Sequence, residues 1–379
     1  MEWFALIIPL LGAGMLLWKF RTHIVPWELA IPFAVVLIVT LSFKYGTEFS
    51  LTRDTEYWGN YLVEARYYED WNEYISKTCY EDVPCGEDSD GNTKYCSKSY
   101  DCSYVDYHSE YWSGVTNSGE EFDISEDQFN EFTRRFGNKD FVELDRDYHT
   151  DDGDMYKTDW DKRYETFEFV ASEFGYENRI PVSQSTFNYP DPDSTEISQY
   201  GLFPYQSIKD WKKLDGILSQ NPRWVTISDQ HKMNFLNGTL GAKKEVRAWL
   251  ILFEDKPLTA GLLQEALWEG GNKNEIVTCV GLDGDMKVSW CHVFSWSESE
   301  SLKTEIRYFV QKQDTLDVTE TLDFLYTNID KDFVRRPWDE FSYLTVALPL
   351  STMLWIFILS VVTTIGVCIW VVKNEFRYY

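Results

Sequence analysis

Four cysteines stand close together as Cys79-x5-Cys85-x10-Cys96-x5-Cys102, and thiol chemistry is the first question this chain raises. Oxidised in pairs, they would staple a loop too polar to bury a core of its own. Reduced, four thiolates could hold a structural zinc ion, although the five-residue gaps exceed the usual two-to-four spacing. Free thiols are the third state. Four cysteines allow three pairings, so connectivity stays open, and none of these readings is catalytic. Cys279 and Cys291 flank the turn Asp283-Gly284-Asp285-Met286-Lys287. If Asp283 pairs with Lys287, Ile276 falls opposite Phe294, Val280 opposite Trp290, Leu282 opposite Val288, and Cys279 opposite Cys291. A cross-strand disulfide is then one reading, and two buried apolar cysteines the other.

Oxygen ligands come next. Asp88-Ser89-Asp90-Gly91-Asn92 reads like the front of a calcium loop, with Asp88, Asp90 and Asn92 as ligands, and Asp151-Asp152-Gly153-Asp154 is a second acidic turn. Neither has the downstream glutamate of an EF-hand, and solvated turns in an acidic protein are the plainer reading. Calcium and zinc are thus the cofactors that the residue types allow. Asn237-Gly238-Thr239 is a glycosylation acceptor on paper. The five histidines are scattered: His23 in a short polar break, and His108, His149, His231 and His292 in separate segments. There is no Gly-x-Ser-x-Gly, Walker loop, dinucleotide fingerprint or zinc-protease helix. The loop at 270–274 follows a helix and precedes a strand, the wrong order for a helix N-terminus to hold a phosphate. Enzyme chemistry finds little support.

The elements that carry these residues divide sharply by hydropathy. Apolar stretches at 3–20, 26–43 and 346–372 are each long enough to cross a bilayer as a helix. Residues 1–46 therefore read as a transmembrane helical hairpin, and 342–379 as a C-terminal transmembrane helix with a short tail. Trp3, Trp18 and Trp27 sit where interfacial aromatics belong, and Pro26 suits a first helical turn. With no basic leader region and no small-residue cleavage site, the first span reads as an anchor rather than a secretory signal. No span has an ionisable residue in its middle, which argues against transport. Charged residues flanking the spans divide almost evenly between the two topologies. Cysteine usage, with an even number in the domain and only Cys368 in a span, points the large domain away from the cytoplasm.

The net charge is −27 and both ends are slightly positive, so that domain holds all of the negative balance; nucleic acid and anionic lipid are therefore poor partners, while basic proteins and divalent cations are better ones. Aromatics at 17% of the chain mark it as folded. Residues 47–180 read as a β-rich, cysteine-containing domain, with alternation at 57–77 and a second aromatic run at 101–112. One helix is expected at 125–136, capped by Ser125. A Pro-rich linker at 181–204 follows. Residues 205–341 read as an α/β domain: a buried strand at 246–253, a helix at 258–268 closed by Gly270-Gly271, and the hairpin above. A helix capped by Ser297 with Glu300, and a last helix at 315–326, complete it.

The order of elements in this half resembles the TPM domain, named for photosystem II repair and phosphatase-like membrane proteins. The resemblance rests on Trp268, Gly270, Gly271, Asn272, Lys273 and Asn274, then Ile276 through Gly281, then Lys287-Val288, and covers about a third of the chain. It implies the fold rather than an activity; the alternative function class is a metal-dependent, phosphatase-like hydrolase of TPM type, with acidic turn residues as ligands. The chain departs from that pattern in its cysteine-rich domain upstream. The residues themselves point instead to a membrane-anchored interaction or scaffold module. Its partners would be the membrane and other proteins.

Overall fold

The computed structural model describes residues 5–20, 26–87, 91–137, 139–144, 150–151, 153–160, 167–183, 191–206, 216–271, 274–337 and 339–375. It opens with two apolar helices, α1 (Ile7–Phe20) and α2 (Pro26–Thr52). α2 runs directly into the long strand β1 (Arg53–Tyr68). Next come β2 (Trp71–Ile75), β3 (Thr78–Glu87), β4 (Thr93–Asp101), β5 (Tyr104–His108), β6 (Tyr111–Thr116) and β7 (Glu121–Asp123). The helix α3 (Glu126–Phe136) precedes β8 (Asp140–Val142), β9 (Thr150–Asp151), β10 (Met155–Asp159) and β11 (Phe169–Glu177).

β1 organises this half. Its first part, residues 53–61, pairs with β11, and its second part pairs with β6 on one side and β10 on the other. α3 covers this sheet with Phe129 and Phe132, both buried. Its N-cap is Ser125, as expected, with Gln128 completing a capping box, and its end is Gly137 in the left-handed region.

The second half begins with α4 (Ser194–Tyr200), inside the segment whose composition reads as a linker; Asp193 and Glu196 form its capping box. Next are β12 (Ile217–Ser219), α5 (Ile227–Lys244), β13 (Arg247–Glu254), α6 (Thr259–Leu267), β14 (Glu275–Leu282) and β15 (Val288–Phe294). α7 (Glu300–Gln311) and α8 (Val318–Asp332) complete it. The sheet order is β12-β13-β14-β15, with the first three parallel and β15 antiparallel. Even-numbered residues of β13 (Ala248, Leu250, Leu252) face α5, α7 and α8, while Trp249, Ile251 and Phe253 face α6 and α4. β13 is therefore apolar on both faces, as a central strand must be. Both crossovers run the same way across the sheet yet place α5 and α6 on opposite faces, so one of them is left-handed, a rare connection.

The hairpin differs from its expected register. Asp283 N–H still donates to Lys287 O, and Leu282 still faces Val288, but a bulge follows. Beyond it Gly281 faces Trp290, Val280 faces Cys291 and Cys279 faces His292. The cause is the Trp290 ring, which lies over Gly281: a Cβ there would come within 2.0 Å of Trp290 Nε1. The bulge moves Cys279 and Cys291 to opposite faces, one in each core layer. α7 also starts later than expected, at Glu300. Ser297 is buried and donates to Val334 O instead of capping the helix. The last helix is displaced likewise, running Val318–Asp332 from an Asp317 cap.

The halves meet where α5 crosses β1. A Cβ on Gly241 would fall 2.0 Å from Gly59 O, and one on Gly238 would fall 2.9 Å from Asn60 O. Beside this contact lies Arg247, fully buried, with its guanidinium carbon 3.7 Å from the Trp249 ring centroid and within 6 Å of Tyr57 and Tyr205, at 5.8 and 5.9 Å. Arg247 Nη1 is 3.7 Å from Glu275 Oε1, which also accepts from Tyr205 OH at 2.7 Å and Trp249 Nε1 at 3.0 Å. Burial pushes the Arg247 pKa down, opposed by Tyr205 and Glu275. From so high a starting value the guanidinium keeps its proton at neutral pH. Nearby, Asn274 Nδ2 donates to Tyr57 O at 3.0 Å, and Arg335 bridges Glu56 to Glu245.

The chain closes with the apolar helix α9 (Leu350–Glu375), which packs against α1 and α2. Gly12 permits the approach to α9, since a Cβ there would meet Thr364 Cγ2 at 2.7 Å. Two segments, Ala30–Thr52 and Leu350–Lys373, are long and apolar enough to cross a membrane. Against the expectation of three spans, the first helix is described over 14 residues only, a shorter apolar helix.

Two outcomes are expected from these contacts, both read by urea unfolding of the full chain in detergent. Glu275→Gln leaves Arg247 uncompensated and should cost about 3–5 kcal/mol, whereas Lys243→Ala, which breaks the exposed pair with Asp330, should cost under ~1 kcal/mol. Gly241→Ala forces backbone apart and should cost about 3 kcal/mol or more, whereas Gly175→Ala, with open space at its Cβ, should be near neutral.

Candidate functional site

β2 through β5 form a ribbon that stands apart from both cores. Trp71 faces His108, Glu73 faces Asp106 and Ile75 faces Tyr104; farther out, Thr78 faces Asp101 in the same register. Cys102 N–H donates to Lys77 O at 2.9 Å across the gap, so the two ladders make one arm. Its outer part is exposed on both faces: in β4 every residue is exposed, and in β3 only Cys79 and Val83 are half-buried. No hydrophobic layer holds this part together.

Disulfides do so instead. Cys79 is joined to Cys102, and Cys85 to Cys96, with Cα–Cα distances of 5.8 and 5.6 Å. Of the three pairings open to the sequence, this is the nested one, with one bridge inside the other. Cys85 takes part because the ladder has a bulge between Pro84 and Gly86, and Gly86 supplies the φ of +136° needed there. With all four sulfurs bonded in pairs, none remains as a zinc thiolate. Closing loops of this size contributes about 2–4 kcal/mol per bridge.

The arm's surface is aromatic. Tyr74, Tyr80, Tyr95, Tyr100, Tyr104 and Tyr107 are all exposed, with Tyr80 at 71% and Tyr95 at 62%. The register places Tyr80 and Tyr95 on one face of the arm, and Tyr100 on the other. Tyr107 OH donates to Asp70 Oδ2 at 3.2 Å. Tyrosine offers a large amphipathic contact area at low entropic cost, and proteins use it for recognition rather than for solubility.

At the root of the arm, Glu73, Asp106 and His108 come together with ligand atoms all within 4.8 Å of one another. His108 Nε2 lies 3.2 Å from Glu73 Oε2, and the His108 ring stacks on Trp71 at 3.9 Å and 6°. Among the described residues this is the one group of three or more such side chains close enough to share an ion. Sequence reasoning missed it because its members lie on strands separated by the cysteine loop. The signal was present, since Glu73 and His108 stand equally far outside Cys79 and Cys102.

The remaining sequence candidates fall elsewhere. Asn92 and Gly91 belong to the connection between β3 and β4, while Asp88 and Asp90 lie outside the described residues. Cys279 and Cys291 are free and buried. Burial raises the Cys279 thiol pKa well above its ordinary value and pushes Cys291 up to about 12, so both are protonated and inert. Asn237 is fully buried: it donates to Ala248 O at 3.0 Å and accepts from Ala248 N–H at 2.7 Å, so the glycosylation sequence is a structural clamp. His292 pairs with Glu265 at 2.7 Å on the α6 side of the sheet.

Two cavities lie away from the arm. One of about 630 Å³ is lined by Pro181, Asp191, Glu269, Trp296, Lys303 and Arg336. Another, of about 720 Å³, lies beside the end of α2, between Tyr45, Phe49, Arg53 and Arg179.

Comparison with protein-family models, with curated proteins and with solved structures finds no match.

Peptide mapping of thiol-blocked protein under non-reducing conditions should recover Cys79–Cys102 and Cys85–Cys96. Cys279 and Cys291 should accept an alkylating reagent only after denaturation. Any bridge between either of them and the arm would refute the assigned register.

Proposed function

We propose that this chain is a membrane-anchored interaction module, with its acidic domain outside the cytoplasm and the stapled arm as its recognition surface. The observation that carries this reading is the arm itself. Its root is the three-stranded sheet β5-β2-β9, but its outer part, β3–β4, is a two-stranded ribbon, which is at best marginally stable in water, and none of its residues belongs to a core cluster. Two disulfides and a row of exposed tyrosines make physical sense if its surface is what matters.

The anchor in this reading has three spans. α2 and α9 have the length and apolarity, and residues 3–20, which include α1, complete the bundle that α9 packs against. The α1–α2 hairpin turn and the C-terminal tail then share one side, and the domain occupies the other. Disulfides persist in oxidising compartments, which supports placing the domain outside the cytoplasm. The partner is a protein surface with apolar recesses for tyrosine rings. Basic character would suit it, given a net charge of −27 on this chain.

A photo-crosslinking residue placed at Tyr95, in cells expressing the full chain, should yield a discrete protein adduct. The same residue at Tyr308, equally exposed on α7, should not. Identical adduct patterns at the two positions would defeat the arm as the recognition surface. Protease added to right-side-out cells should cleave within residues 47–341, and protection of that segment would reverse the orientation.

A further inference from the structure

We propose that Glu73, Asp106 and His108 bind a divalent transition-metal ion, zinc being the one their donors fit, at the root of the arm. All three side chains project from one face of the β2–β5 ladder, Glu73 directly across from Asp106 and diagonal to His108. A tetrahedral zinc ion with bonds of about 2.0–2.1 Å holds its ligand atoms roughly 3.3 Å apart. The 3.2 Å between His108 Nε2 and Glu73 Oε2 already matches that spacing. Asp106, on the same face and with its ligand atom within 4.8 Å of the other two, offers the third position. Stacking on Trp71 holds the imidazole in one plane, so part of the ordering that binding requires is already present.

The donor set selects the class of ion. One imidazole and two carboxylates suit zinc and its transition-metal neighbours, whereas calcium takes six to eight oxygens. His108 and Glu73 are partly exposed, with side chains at 37% and 42%, so water can fill the remaining positions and the ion can exchange with solution. The position gives the site its meaning. Glu73–His108, Cys79–Cys102 and Cys85–Cys96 are successive links across one ribbon, and the metal link is the reversible one. Zinc binding itself does not rest on the interaction reading. Its effect on the arm's rigidity would bear on recognition.

The test is a zinc titration of the full chain in detergent, stripped with a chelator and followed by calorimetry. Wild type should show one saturable site per chain, lost in His108→Ala and in Asp106→Asn. Trp71→Leu, which removes the positioning ring, should weaken binding on the order of 10–100-fold. Glu265→Gln, in the separate His292 pair, should leave it unchanged. Recovery of Cys79–Cys102 in each variant shows that the arm has folded, and Asp106→Asn, isosteric and exposed, carries the test if His108→Ala does not fold. Absence of saturable binding in wild type up to millimolar zinc overturns the proposal. So does wild-type affinity in Asp106→Asn, loss of binding in Glu265→Gln, or calcium binding more tightly than zinc. Crosslinking at Tyr95 reads a different property, so either idea can fail alone.

Discussion

The arrangement depends most on a single buried charge. Arg247 begins the central strand of the α/β sheet, but its side chain serves the junction. Tyr57 comes from the long strand of the first half, Tyr205 from the connecting segment, and Trp249 and Glu275 from the α/β sheet itself. Removing a guanidinium from water is costly, and only a paired carboxylate with good hydrogen bonds offsets that cost. Glu275 is such a partner, with Tyr205 and Trp249 both donating to it. The penalty for separating the halves is therefore an exposed seam and a stranded charge pair together. Glycine contacts between α5 and β1 set the distance at which this cluster can form.

Two kinds of construction follow, and they are kept apart. Around Arg247 the side chains of Trp249 and Glu275 are fully buried, and Tyr205 and Trp249 both donate to Glu275. In the arm little is packed, and covalent links replace burial. Such a division lets the arm carry apolar, aromatic residues outward without drawing on the core for stability, and it lets surface residues there change with little consequence for the fold. The α/β core is held by burial of apolar side chains, whereas the outer arm is held by disulfides, the means by which small domains without a core are stabilised.

Local signals in the sequence were readable, and long-range ones were not. Ser125 announces α3, the apolar run through Phe253 announces a two-faced strand, and Gly270-Gly271 ends α6 where a left-handed conformation is needed. The turn at Asp283 was also legible, but one residue of bulge beyond it put Cys279 and Cys291 on opposite faces of the sheet. Alternation alone could not reveal that a tryptophan ring occupies the place of the missing Gly281 side chain. α4 was hidden by its surroundings, since prolines and serines outweighed the Asp193–Glu196 box. β11 pairs with β1 across more than a hundred residues, and no local pattern encodes such a partner. For the same reason the Glu73, Asp106 and His108 cluster emerges only once the strands are paired. The cysteine spacing named four candidates for staples without choosing between disulfide, zinc and free thiol, and only the paired strands with the bulge at Gly86 show how they join.

The nesting of the two bridges has a consequence for how this molecule fails. Cys85–Cys96 lies inside Cys79–Cys102, so a peptide bond hydrolysed at the tip leaves both new ends bound to each other by sulfur. A nick there changes the chain's connectivity without releasing a fragment. Damage between Cys85 and Cys96 would be silent to size and visible only after reduction.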